Sequence, residues 1–352
     1  MDYYHLFNNF AELLLRILNC IQKNMDLSII MPVYNVEKYI KTCLESIFKQ
    51  GLDVSDFEVI IVNDGTKDRS MEVIANIIDQ HNNITVINQE NQGLSVARNN
   101  GIAVAKGKYI LMLDSDDLLI RNSILILLKK ALETEADLIV ADYITMNDEE
   151  ILNYHSTVQE KFKMDIKTGE KLYLEDLKPN QYYVWRTLYR RDFLLANNLK
   201  FIPGIYFQDV PFTHEAYLKA KKCIRTPWLL NIYRRGHDSA ASALNSFNIK
   251  KGYDFCIAIS ESWKLTHQEN LSPKLRQKLI ENIYSSFTNL VYRIITKIDS
   301  QNEGEEILTF LHSKAPDMGF TNSTMQSIGT YLFSNTPRLY LLLVKIRWKI
   351  RK

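Results

Sequence analysis

Three carboxylates crowd into four positions at Asp114-Ser115-Asp116-Asp117, directly after the apolar run 109–113. Such a run reads as a buried strand, which puts the acids at its C-terminal end, where open α/β sheets bind ligands. Like charges packed this closely repel, and a bound cation or a donor-rich partner relieves the repulsion. The ligands on offer are oxygens. They suit Mg2+ or Mn2+, ions commonly held by one or two carboxylates while substrate phosphates complete the shell, so a phosphate-bearing substrate is implied. A lone acidic triplet carries little weight, but three other clusters share its setting. Pro32-Val33-Tyr34-Asn35 closes the run 27–33, Asn63-Asp64-Gly65-Thr66-Lys67-Asp68 closes 57–63, and Gly93-Leu94-Ser95-Val96-Ala97-Arg98 opens a helical segment. All four converge on one crevice if their strands lie side by side and parallel.

The elements that must position these residues are legible as alternating patterns. Apolar, β-branched runs at 27–33, 57–63, 84–88, 109–113 and 138–141 read as strands, and 36–50, 68–81 and 95–105 carry helical periodicity. Strand starts recur about every 25 to 30 residues, the length of a βαβ unit. The expectation is an α/β fold, a parallel sheet with helices on both faces. After residue 143 the pattern loosens. Residues 147–167 read as loop or edge structure, 185–195 as an element ending in a helix, 210–221 as a helix, 224–234 as extended, and 247–312 as helical.

Both ends are amphipathic. Phe7, Phe10, Leu14, Ile17, Leu18 and Ile21 form one stripe, expected to pack on the body or on another subunit. Leu339, Leu342, Leu343, Ile346 and Ile350 form another, with Lys345 and Lys349 on its polar side and Trp348 as an interfacial anchor. That composition reads either as a helix on an anionic membrane surface or as a solvated basic tail.

Composition narrows the class. The chain has 352 residues and a net charge of only +2, which argues against a nucleic-acid binder. Residues 338–352 hold six basic side chains and no acid, so the remainder carries −4. The four cysteines, Cys20, Cys43, Cys223 and Cys256, make no C-x-x-C pair and are expected as reduced thiols. No apolar run reaches the roughly 18 residues of a spanning helix, and the start has no basic cluster of the secretory kind. A cytoplasmic location is expected, with peripheral contact to the inner face of the cell membrane.

The segments SIIMPVYN, VIIVNDGTKDRS, NQGLSVARNNGI and YILMLDSDD stand in an order and spacing that resembles the family 2 glycosyltransferases, inverting enzymes of the nucleotide-sugar fold called GT-A. The resemblance is close over residues 27 to about 120 and looser to about 240. It implies a UDP-sugar or other nucleoside-diphosphate-sugar donor, Mn2+ or Mg2+, and a glycan or lipid-linked acceptor in capsule, exopolysaccharide or O-antigen assembly. By the same resemblance Pro32, Tyr34 and Asn35 line the nucleobase pocket and Asp64 accepts a hydrogen bond from the uracil. Arg98 lies near the diphosphate, Asp114 and Ser115 face the nucleotide sugar, and Asp116, with Asp114, ligates the metal. Asp117 is read either with these carboxylates or as a cap of the following helix.

Tyr206-Phe207-Gln208-Asp209-Val210-Pro211 resembles the family's Glu-Asp motif, whose Asp is the general base, with Gln208 where Glu is commoner. Asp209 is accordingly read as base, the competing reading being an N-cap of helix 210–221. Trp185 is read as a stacking surface for a sugar or as core. In Tyr233-Arg234-Arg235-Gly236-His237 a basic residue or His237 would reach phosphate or metal. The family's Gln-x-x-Arg-Trp element is missing, which favours addition of one sugar per encounter over processive synthesis. Nucleotidyl transfer and a non-catalytic sugar-nucleotide-binding module are the rival functions; no G-x-G-x-x-G follows a strand, which disfavours dinucleotide oxidoreductases.

The expected organisation is an N-terminal amphipathic helix (1–25), a GT-A domain (26–240) with a nucleotide-binding half (26–120) and an acceptor half (121–240), a helical region (241–335) and a basic tail (336–352). Oligomerisation is left open.

Overall fold

The computed structural model describes residues 25–155, 163–236, 247–320 and 324–350. The N-terminal stripe and His237 lie outside the described residues.

Strands β1 (Leu27–Val33), β2 (Phe57–Asp64), β3 (Ile84–Gln89) and β4 (Tyr109–Met112) pair in parallel in the order β3-β2-β1-β4. Helices α1 (Ile40–Ile47), α2 (Ser70–Gln80) and α3 (Leu94–Val104) connect them. β1 is buried on every residue, as a strand covered on both faces must be. Its side chains divide with period two. Ile30 joins the core that also holds Ile60, Val62, Ile110 and Met112, while Ile29 and Met31 join Val59, Ile61 and Leu111 on the opposite face. Gly101 lets α3 lie directly on β1, since a Cβ there would sit 2.4 Å from Ile30 Cγ2.

Beyond β4 antiparallel neighbours join the expected mostly parallel arrangement. β8 (Thr187–Arg190) inserts antiparallel between β4 and β6 (Leu138–Met146), and β9 (Cys223–Arg234) runs parallel to β6. Two short strands, β5 (Leu118–Leu119) and β7 (Asp165–Lys167), pair antiparallel with β9. The sheet is mixed because a four-residue strand, hidden in the 185–195 segment between a 3-10 turn (Val184–Arg186) and α7 (Arg191–Ala196), supplies the central antiparallel partner. A run that short has too few residues for an alternation signal.

Helix α4 (Ser123–Thr134) packs Ile124, Leu127 and Leu128 on the core that also holds α1. On the other face, α6 (Gly169–Asp176), α7 and α8 (Asp209–Lys219) cover the sheet. The short α5 (Asp148–Leu152) lies in the stretch read as loop. The core under α8 continues without a break into α9 (Ile249–Lys264), α10 (Pro273–Lys297), α11 (Gln301–Lys314), α12 (Thr324–Asn335) and α13 (Pro337–Ile350). The helical region therefore shares one core with α8, the helix that carries Asp209. Cys43, Cys223 and Cys256 are buried free thiols, as expected of cysteines that pack as small hydrophobes.

Candidate active site

The parallel strands end at one edge, and the loops leaving that edge are tied to one another by side-chain hydrogen bonds. Asn35 sits in the left-handed region (φ 54°), which Asn tolerates better than most residues. Its backbone N–H donates to Thr66 Oγ1 at 2.8 Å, and its Oδ1 accepts from the Lys67 N–H at 3.2 Å. Asp68 receives Glu37 N–H, Ser70 N–H and hydroxyl, and the Thr66 hydroxyl. Burial opposes its charge, but these hydrogen bonds prevail and lower its pKa. Pro32 is buried within β1 opposite Val62, beyond the last β1–β4 pair, where its missing N–H costs no ladder bond. Tyr34 is half-buried and Asn35 exposed at the mouth of the crevice.

Asp64 clamps the loop before α3. Its carboxylate accepts from Gln89 Nε2 at 2.7 Å, Gln92 N–H at 2.8 Å and Gly93 N–H at 2.9 Å. Gly93 turns the chain at φ +87°, a conformation glycine adopts without strain. Asp64 is thus both a wall of the crevice and the anchor of the segment carrying Arg98.

Arg98 is almost wholly buried. Its guanidinium donates to Asp114 Oδ1 at 2.5 Å and lies 5.3 Å from the centre of the Phe201 ring. Its charge is directed at Asp114. Burial raises the Asp114 pKa, Arg98 opposes the rise and Asp116 adds to it. Ser115 and Asp116 are buried beside it. Asp117 is buried too: its Oδ1 accepts the Arg234 N–H at 2.9 Å, and its Oδ2 has no hydrogen-bond partner. Burial and the two neighbouring aspartates push its pKa well up. The cap reading of Asp117 is overturned, because α4 starts only at Ser123 with Asn122 at its N-cap.

Arg234 holds this acidic loop from behind. Its Nε donates to the Asp116 carbonyl at 2.8 Å, its guanidinium pairs with Asp148, and it stands 4.9 Å from the Tyr39 ring centre. Arg235 is exposed and pairs with Glu150 at 3.3 Å. In the sequence Arg234 is one of the basic residues offered for phosphate or metal; its inward bonds follow from the β5–β9 pairing, which no local pattern announces.

Asp209 opens α8 on the other side of the crevice. The chain enters through Phe207 at φ +61°, a backbone conformation that bulky residues rarely adopt, held by stacking of Phe207 on Phe255 at 4.2 Å. Gln208 occupies the cap position with no capping bond, is buried, and leaves its Oε1 without a partner. The helix begins at Asp209 itself, and N–H groups of its first turn point at the carboxylate. Burial outweighs them and raises the Asp209 pKa to about 6, with Arg98 lowering it and Asp114 raising it. Asp209, Arg98 and Asp114 therefore lie within electrostatic reach of one another.

An aromatic group lies between the two acidic sides. Trp185 stacks on Tyr183 (5.0 Å, 21°) and Tyr233 (5.5 Å, 7°) and meets Tyr143 edge-on at 4.8 Å. With 4% of its surface exposed, Trp185 fits the core reading rather than the sugar-stacking one. Tyr183, raised to about 12 by burial with Asp209 contributing, and Tyr233, raised by burial and the three aspartates, are half-buried. Tyr183 falls in none of the sequence motifs and Tyr233 only opens the segment of Arg234 and His237, though the repeated aromatics at 182, 183, 185 and 233 are a usable signal.

Among the described residues no group of three or more His, Cys, Asp or Glu side chains assembles as a metal cage. The donor set nonetheless fits a hard divalent cation of the kind that takes one or two carboxylates and completes its shell from a diphosphate.

A parallel half joined to a mixed half, with an acidic loop facing the half-buried Asp209 carboxylate, is the arrangement of a GT-A fold. The model of Glycosyl transferase family 2 matches residues 28–194. The Streptococcus pneumoniae (serotype 4) glycosyltransferase GlyG is 31% identical over 221 residues, 59% of this chain and 70% of its own length. The chain belongs to glycosyl transferase family 2 and is a glycosyltransferase. An uncharacterized glycosyltransferase of Escherichia coli (strain K12), YibD, is 28% identical over 315 residues, covering 80% of this chain and 90% of YibD. The crystal structure of S. aureus TarS 1–349 in complex with UDP-GlcNAc superposes with a TM-score of 0.72 at 18% identity, over 93% of each chain. That structural likeness includes the C-terminal helices, which lie outside the stretch the family model matches.

Proposed function

We propose that this enzyme moves one sugar from a UDP-sugar to a hydroxyl of a glycan or lipid-linked acceptor, with inversion at the anomeric carbon, in the assembly of a bacterial surface polysaccharide. The observation that carries this reading is Asp209, a carboxylate with a pKa of about 6 at the start of α8, within electrostatic reach of the Asp114 side of the crevice. Asp209 accepts the acceptor's hydroxyl proton as that oxygen forms a bond to the anomeric carbon, and the bond to the diphosphate oxygen breaks on the opposite face. No covalent enzyme intermediate is required. Pro32, Tyr34, Asn35 and Asp64 border the nucleobase, and Asp114 and Ser115 face the nucleotide sugar. Arg98 keeps Asp114 in place. Asp116 and Asp114 would hold Mn2+ or Mg2+, with His237 as a further ligand, and the bound ion would neutralise charge on the departing UDP. The UDP-GlcNAc complex of TarS supports a UDP-linked donor. The catalytic unit is residues 26–240, working on the cytoplasmic side of the cell membrane.

The test is UDP release from a panel of UDP-sugars with Mn2+, Mg2+ or EDTA, with and without a glycan acceptor. Metal-dependent release that rises with acceptor is the expected result. Diphosphate release from UTP and a sugar phosphate would establish nucleotidyl transfer instead, and metal-dependent binding without release a binding module.

A further inference from the structure

Helix α13 carries two apolar faces, and among the described residues only one packs on the core. Leu341 is buried, with Tyr340 and Val344 packed beside it against the core formed with α10 and α11. Leu339, Leu342, Leu343 and Ile346 are 44%, 45%, 45% and 45% exposed. At about 100° per residue these four fall within about 100° of one another, on the side facing away from Leu341 and Val344. Arg338 and Lys345 flank this stripe on one side and Arg347 on the other, all three exposed. No acid occurs from residue 338 to the end of the sequence. Trp348, expected as an interfacial anchor, is half-buried and lies on the Leu341 side of the helix.

An exposed apolar ridge with Arg338 and Lys345 on one side and Arg347 on the other matches the boundary of an anionic bilayer, where the ridge meets the acyl region and the cations meet lipid phosphates. A soluble partner would have to offer an apolar groove with two acidic rims. Among the described residues no helix is long and apolar enough to span a membrane, so contact through α13 is peripheral. We infer that the Leu339–Leu342–Leu343–Ile346 face of α13 is a docking surface for anionic lipid. The surface lies on the same continuous core as α8, which would hold the Asp209 crevice in a set relation to the membrane.

The experiment is vesicle flotation of the full chain, with phosphatidylcholine vesicles compared with a phosphatidylcholine and phosphatidylglycerol mixture. Wild-type protein is expected to float with the mixture, to be released by salt, and not to float with the neutral vesicles. Lys345→Gln with Arg347→Gln should weaken binding about fivefold per charge removed. Leu342→Ser with Leu343→Ser should abolish flotation while leaving the unfolding temperature nearly unchanged, because among the described residues neither side chain joins the core. No flotation, or equal flotation with both vesicle types, overturns the inference. So does a dimer in sedimentation that the double leucine change dissociates without any lipid effect, which assigns the face to a second copy. UDP release measured in lipid-free solution on the same preparations tests the donor site separately.

Discussion

The pKa of about 6 at Asp209 makes a double prediction, one on rate and one on stability. A general base acts only when deprotonated. With a pKa near 6 roughly nine tenths of Asp209 is ionised at pH 7 and roughly a tenth at pH 5, so kcat/KM should fall about tenfold per pH unit below 6. Asp209→Asn keeps an acceptor for the first-turn N–H groups but cannot take a proton, and turnover should drop by about 10²- to 10⁴-fold. The stability effect runs the other way. The folded-state pKa is raised above the ordinary 3.8, so the favourable contribution of the protonated group exists below that value and is lost as pH rises to about 6. Above pH 6 the charge at this half-buried carboxylate is a net cost of up to about 3 kcal/mol from a shift of about two units. Asp209→Asn should therefore be more stable than wild type at neutral pH by up to that amount, with the gain vanishing below about pH 4. UDP release across pH 5 to 8 and thermal unfolding at both extremes measure the two effects. A variant retaining more than about a tenth of wild-type turnover, or a flat wild-type profile from about pH 5 to 7, would refute the assignment of Asp209 as base.

Two other substitutions test how the site is held. Arg98→Met removes the cation 2.5 Å from Asp114 in a nearly dry position, and should cost about 3 kcal/mol by denaturant titration and weaken UDP binding in calorimetry; unchanged stability would show that Asp114 needs no partner. Gly169→Ala puts a Cβ 2.2 Å from the Tyr217 carbonyl oxygen and 2.3 Å from that of Ala220, so α6 must move off α8. A loss of about 1 to 3 kcal/mol in thermal or chemical unfolding is expected, and a neutral effect would mean that this helix contact is looser than it stands.

The sequence by itself determined the parallel half of the sheet. Residues 27–33, 57–63, 84–88 and 109–113 are buried on both faces or end in turn-forming polar clusters, and βαβ connectivity leaves their C-terminal ends on one edge. The placing of Asp64, Arg98 and Asp114 at that edge therefore followed from local pattern and chain order. Tertiary structure decided what pattern could not carry. β8 is too short to show alternation, yet it sets the mixed half of the sheet by pairing antiparallel with both β4 and β6. Asp117 and Arg234 are 117 residues apart and meet only because β5 pairs with β9. The stripe on α13 was visible as periodicity, but periodicity reports that a helix has an apolar side and not what covers it. Only packing shows that Leu341 faces the core while Leu339, Leu342, Leu343 and Ile346 face outward. Local spacing sets backbone form and the side on which residues share a face; long-range pairing and burial set which charges meet and which faces stay open.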